Sequence, residues 1–262
     1  MNRILKTELF KLLHRKETYI ITLLMLLSFG LPIGFKMAPA SYSLDYTFGD
    51  GRLPCSAYMV LGYAFWGTLG VFVLLFSVLS VSLSSKEMEA HYHYLYFPRV
   101  NHREKIYTAK LLILLSFAIV WYLVYTLLFN PIGYRVLCSF RPDMAIASMS
   151  DGSLTYWACM WLMNLAELIF YISLVSALGA KLKPLATISV VMVFYYACMF
   201  IYDFPLIRFL IPEFYKQSAM AFEDVSLLNS LIVYTIIYVF LTMGYNVLLF
   251  LYGKKQFKGI NA

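Results

Sequence analysis

The segment 84–110, "SSKEMEAHYHYLYFPRVNHREKIYTAK", gathers the residue types that do chemistry: eight charged side chains, three histidines and four tyrosines. Glu89, His91, His93 and His102 are the nearest approach to a metal-ligand set, since imidazoles and a carboxylate suit zinc. One reading is a membrane-embedded, metal-dependent hydrolase using Glu89, His91 and His93. On a helix, however, residues two apart point to opposite sides, and only on a strand would they share a face. The flanking charges and tyrosines favour the other reading, interfacial residues that hold no metal.

The second chemical candidate is Glu167, the one acidic or basic residue deep within a long apolar block. A charge at the bilayer centre costs on the order of 3 kcal/mol on insertion scales, so Glu167 is either protonated or turned to the interior of a helix bundle. Asn164 and Tyr171, three and four residues away, share its helix face. The stripe reads as a polar patch on a substrate pathway or as an interhelical hydrogen-bond cluster, and both readings stay open. Other catalytic signatures are absent. Gly253-Lys254 lacks the upstream glycine and the following Ser or Thr of a phosphate-binding loop, and no nucleophile elbow, H-E-x-x-H or C-x-x-C occurs. Hydrolysis of ATP by a phosphate-binding loop is therefore excluded for this chain, and no catalytic residue is assigned.

The elements that must position these groups follow from composition. The chain is 61% hydrophobic and 13% charged, with a mean hydropathy of +0.73, outside the range of soluble domains. Its apolar residues fall in six blocks, about 18–35, 57–83, 111–129, 154–180, 185–202 and 227–252. Each approaches or exceeds the roughly 17 to 25 residues that a helix needs to cross a bilayer. None alternates as a barrel strand would. The expected fold is an all-α integral membrane protein of six spans (18–252), with a loop at 84–110 and a tail at 253–262.

Orientation follows from Lys and Arg. With the N-terminus cytoplasmic, 15 of the 21 fall on the cytoplasmic side, a positive-inside bias that also puts the C-terminus there. The net charge of +7 then reads as orientation and contact with anionic lipid, not as a nucleic-acid footprint. The basic start followed by an apolar run and "MAPA" (37–40) mimics a signal peptide, but the patterned basic region argues for retention. Residues 1–17 form an amphipathic helix. Leu5, Leu9, Leu12 and Leu13 share one face, and Thr7, Glu8, Lys11, His14 and Arg15 the other. It serves either as an interfacial anchor or as a lever to a cytoplasmic partner. Cys55 and Cys138 fall on the external side, where they bridge or stay free; without a framework of spacings, free thiols are the expectation. Between the fourth and fifth spans, "KLKP" makes a tight turn with Pro184 opening the next helix. The aromatic, twice proline-broken segment 203–226 suits a re-entrant helix pair or an aromatic-belt loop.

With six spans, an amphipathic lead-in helix and a charged loop between spans two and three, the chain resembles the permease subunits of type-2 ABC exporters. Those permeases follow the second span with an acidic residue, a short helix, a Pro, an Arg and a Lys opening the third span; here these are Glu87 or Glu89, Pro98, Arg103 and Lys110. His91-Tyr92-His93-Tyr94 stands where the family carries a small Gly-Thr type segment. The resemblance implies that 84–110 is a coupling helix docking on a separate ATP-binding subunit through Glu87, Glu89, Pro98, Arg99, Arg103 and Lys110. It implies that 1–17 is the connecting helix and that 203–226 holds the external re-entrant helices. It further implies ATP and Mg bound by the partner ATPase, no cofactor in this chain, a second permease (identical or related), and alternating access. The small permeases that export lantibiotics and other antimicrobial peptides, or confer immunity to them, look similar. Sodium, drug and lipid exporters share the outline. The implied location is a bacterial plasma membrane, crossed several times. A non-transporting scaffold is a further alternative.

Overall fold

The computed structural model describes residues 2–37, 55–84, 104–140, 151–202, 204–220 and 228–259, and among them every regular element is a helix. The chain begins with α1 (Asn2–Leu13), α2 (Lys16–Leu23), a 3-10 stretch (Leu24–Phe29) and α3 (Gly30–Met37). Next come α4 (Cys55–Thr68) and α5 (Val71–Leu83). The long α6 (Glu104–Val124) passes through a π-helical turn (Tyr125–Phe129) into α7 (Asn130–Phe140). After α8 (Asp151–Leu178) and α9 (Pro184–Ile201), a 3-10 turn (Arg208–Leu210) leads to α10 (Pro212–Met220) and then to α11 (Leu228–Gly259).

Four helical stretches are long and apolar enough to cross a membrane: Glu104–Phe140, Leu154–Leu178, Pro184–Ile201 and Asn229–Lys258. Tyr58–Thr68 and Val71–Leu83 make a fifth if this pair, bent by 67°, is one broken span. The expected block 18–35 is helical but divided among α2, the 3-10 stretch and α3. Two expected boundaries shift. Residues 104–110, assigned above to the loop, are the first turns of α6, and 130–140 continue the same helix beyond its expected end at 129.

The irregular points have local causes, and most have an aromatic partner. Pro32 has no N–H to give the carbonyl of Ser28, four residues back. The Tyr58 hydroxyl donates to that carbonyl at 2.7 Å. Nearby, the indole N–H of Trp66 reaches the Leu27 carbonyl at 3.1 Å and that of Trp121 the Ile21 carbonyl at 3.0 Å. Pro131 would clash with the carbonyl of Leu127, and the turn before it widens to π. Across that turn the Asn130 amide donates to Met59 O at 2.8 Å, and the Trp161 indole to Thr126 Oγ1 at 2.9 Å.

Between α4 and α5 the chain turns on Gly70, whose φ of 67° lies in the left-handed region that glycine enters without strain. The hydroxyls of Tyr195 and Tyr196 on α9 donate to the carbonyls of Gly67 and Leu69 at this break. Hydrocarbon supplies no water, so a broken helix there must find its hydrogen bonds in its neighbours. Much of the 18% aromatic content serves that need.

The core is aromatic as well. Trp121 and Tyr125 stack at 5.1 Å, Phe72 sits edge-on to both, and Tyr63 stacks on Phe72 at 4.6 Å. Offset and edge-on pairs of this kind are worth about 0.5–1.5 kcal/mol each beyond area burial. Small residues let α5 and α8 approach, and Ser80 and Ser176 share a hydrogen bond of 2.9 Å between them. Gly253 lets α11 close on α6, because a Cβ there would fall 2.2 Å from the buried Tyr107 hydroxyl oxygen. The glycine of the Gly253-Lys254 pair is thus a packing residue.

Candidate functional site

Glu87, Glu89, Pro98, Arg99 and Arg103, with His91, His93 and His102, lie outside the described residues. Among the described residues no group of three or more His, Cys, Asp or Glu could hold a metal ion. Lys110, Asn164, Glu167 and Tyr171 are described, and they divide between two buried clusters.

The first cluster centres on Lys110, 6% exposed, in the second turn of α6. Its ammonium donates to Glu8 Oε2 at 2.8 Å and to the carbonyl of Leu83 at 2.7 Å. The Leu83 carbonyl belongs to the last turn of α5, where no intrahelical N–H remains to take it. Glu8 Oε1 accepts from Lys11 at 3.0 Å. One ammonium thus ties the lead-in helix α1 to the helices at both ends of segment 84–110. This corrects the expected face of α1. Glu8, placed above on the polar face, is 4% exposed, and Leu12 is fully buried beside it in sequence register. Leu9 and Leu13, placed on the inward apolar face, are nearly half exposed. The buried cation of α6 demands an anion, and α1 rotates to supply it.

The second cluster lies in the middle third of α8. Lys216 of α10 donates to Glu167 Oε2, and both side chains are buried. Two residues from Pro212 and the start of α10, Glu213 is 9% exposed and accepts from Gln217 Nε2 at 2.6 Å through Oε1. Its other oxygen has no hydrogen-bond donor among the described residues. The first turn of a helix favours an acidic side chain through the helix dipole.

How α10 reaches this depth is visible in its lead-in. Leu210 O accepts from Tyr245, in the middle third of α11, at 2.7 Å, and Tyr215 packs against Tyr234 with centroids 5.9 Å apart. The segment 204–220 therefore dips to the mid-length of α8 and α11, as a re-entrant segment does. Lys216, counted above among the external charges, is carried into the bundle with it.

A cavity of about 680 Å³ opens beside this cluster. Phe170, Tyr171 and Leu174 of α8 and Phe194 and Cys198 of α9 form one side. Leu210 and Glu213, with Tyr238, Tyr245 and Leu248 of α11, form the other. Glu167 reaches the wall; Asn164 and Lys216 do not. Of the expected stripe, Glu167 and Tyr171 thus meet a shared space. Asn164 is fully buried, with neither amide atom hydrogen-bonded. Lys216 and Glu213 were the residues missed. Their signal was a pair of opposite charges three apart, Glu213-Phe-Tyr-Lys216, inside an apolar, proline-broken segment. Such charges must find partners if the segment enters a bundle.

All four cysteines are free thiols. At Cys55, burial first and then neighbouring Cys138 push the thiol pKa up, against the pull of Arg135. The group is held as the unreactive thiol at neutral pH.

Long apolar helices enclosing an apolar cavity with a few convergent polar groups define an all-α membrane protein with a preformed small-molecule-sized space. Comparison with family models, with curated proteins and with solved structures finds no match to this chain.

Proposed function

We propose that this chain is the membrane-spanning permease subunit of an exporter driven by a separate ATP-binding-cassette ATPase, with the cavity beside Glu167 as its substrate space. The observation that carries the reading is the Lys110 junction. A segment that receives force from another protein must pass it to the bundle, and here the helices at both ends of 84–110 and the lead-in helix meet at one buried ammonium. Movement of 84–110 by the ATPase would shift α5, α6 and α1 together, because packed elements move as units rather than deforming. The broken α4–α5 pair, held to α9 by Tyr195 and Tyr196, is the element best suited to absorb that shift. Glu167 and Tyr171 would face the substrate, and Glu87, Glu89, Pro98, Arg99 and Arg103 would contact the ATPase. The resemblance in segment 84–110 supports an ATP-binding partner, a second permease and a bacterial plasma membrane as the setting. Antimicrobial peptides, drugs and lipids are the substrate classes it offers.

The test is purification of the tagged chain from its native membrane, with sequencing of whatever co-purifies. An ATPase carrying a phosphate-binding loop, lost when Glu87, Glu89, Arg99 and Arg103 are together reversed in charge, is the expected result. Recovery of such an ATPase with the reversed variant, with transport intact, would contradict the assignment of 84–110. Zinc bound by the purified chain and lost with His91→Ala, with no ATPase, would instead support the hydrolase.

A further inference from the structure

The charges around the cavity do not balance. Glu167 is matched by Lys216. Glu213 has the Gln217 amide on one oxygen and no cation of its own among the described residues, although it is nine-tenths buried and lines the cavity wall. Two carboxylates and one ammonium leave one negative charge facing an apolar space. Burying a carboxylate without a partner costs several kcal/mol even after relaxation. The surroundings suit one kind of partner. Phe170, Tyr171, Phe194, Tyr238, Tyr245 and Tyr252 all reach the wall, and aromatic faces attract weakly hydrated cations, quaternary ones above all. A hydrated inorganic ion gains little from such walls, and an anion would be repelled by Glu213.

We propose that the cavity is a binding site for a lipophilic monocation, with its cationic centre against the free oxygen of Glu213 and its apolar body between Phe170 and Leu174 on one side and Phe194 and Leu248 on the other. A volume of about 680 Å³ lies within the range of small-molecule sites. Glu167, held by Lys216, shapes the polar end without being the counter-ion. This assignment names the substrate class of the proposed permease and rests on that reading only for the word substrate; binding itself needs no ATPase.

The experiment is equilibrium binding of tritiated tetraphenylphosphonium to the purified chain in nanodiscs, read by scintillation proximity against empty nanodiscs. Saturable binding is expected, weakened at least about tenfold by Glu213→Gln through loss of the charge contact. Leu174→Trp should weaken it comparably by filling the space while keeping Glu213. Thermal unfolding and size-exclusion profiles of both variants check that the bundle is intact. Binding no greater than that of empty nanodiscs, or unchanged in Glu213→Gln, overturns the site; so does loss of the probe only in variants that no longer fold as the parent does, once Glu213→Asp, which keeps the charge, fails to restore it. Saturable binding with no ATPase partner would sustain the site and count against the permease, and a coupled ATPase with no probe binding would do the reverse.

Discussion

Lys110 and Lys216 are both buried, both sit at the meeting of helices, and both hold a carboxylate, yet they have different surroundings. Lys110 donates to Glu8 and to a helix-end carbonyl, while Glu8 in turn takes a second cation, Lys11. That knot carries more positive than negative charge and borders no cavity. Lys216 donates to Glu167, and a second carboxylate, Glu213, lies close by on the wall of an apolar space. The same side-chain chemistry thus makes a joint in one place and a site in the other. What separates them is the sign of the leftover charge and the presence of room beside it.

The comparison can be broken by removing each cation in turn. Lys216→Met leaves Glu167 buried with no cation and Glu213 beside it, and should destabilise the bundle by about 3–5 kcal/mol, the usual cost of breaking a buried pair. Denaturation in mixed micelles measures it, and adding Glu167→Gln should restore at least half of the loss. Recovery of nothing would mean that the pair does not set the depth of α10. Lys110→Met should cost less, about 1–3 kcal/mol, because Glu8 keeps Lys11 and the loss is one carbonyl and one shared carboxylate contact. Equal effects at the two lysines would erase the distinction drawn here. Lys11→Ala removes a partly exposed i,i+3 partner and should change stability by no more than about 0.5 kcal/mol. A larger effect would show that Glu8 depends on Lys11 as much as on Lys110.

Much of the frame was legible in the chain. The helices Asp151–Leu178 and Pro184–Ile201 fall within about three residues of their expected ends, because a uniform apolar run met a clear stop in KLKP and a clear start in Pro184. The helix through 104–140 was cut short at both ends. Charged residues at 104–110 and the Asn130-Pro131 step were read as breaks, but a buried partner absorbs one of those charges and a π-helical turn absorbs the proline. Gly67 and Gly70 were visible as glycines, but a bend of 67° depends on Tyr195 and Tyr196 waiting to take the freed carbonyls.

The sites were legible in part for a related reason. Glu167 stood out because a lone carboxylate in an apolar block must be explained. Its partner lies 49 residues away, and that of Glu8 lies 102 residues from it. A helical wheel sees only local spacing, so it assigned Glu8 to the polar face and left Lys216 outside. Both errors came from charges whose burial is decided by a distant residue of opposite sign.

The division between joint and site is tested most directly by tetraphenylphosphonium-stimulated ATP hydrolysis in nanodiscs that hold the chain with its co-purified ATPase, measured for Lys110→Met beside the parent. Transmission through Lys110 predicts probe affinity within about twofold of the parent, since the cavity is untouched, with stimulation reduced at least about fivefold. Stimulation equal to the parent's, or affinity and stimulation lost together, would contradict it.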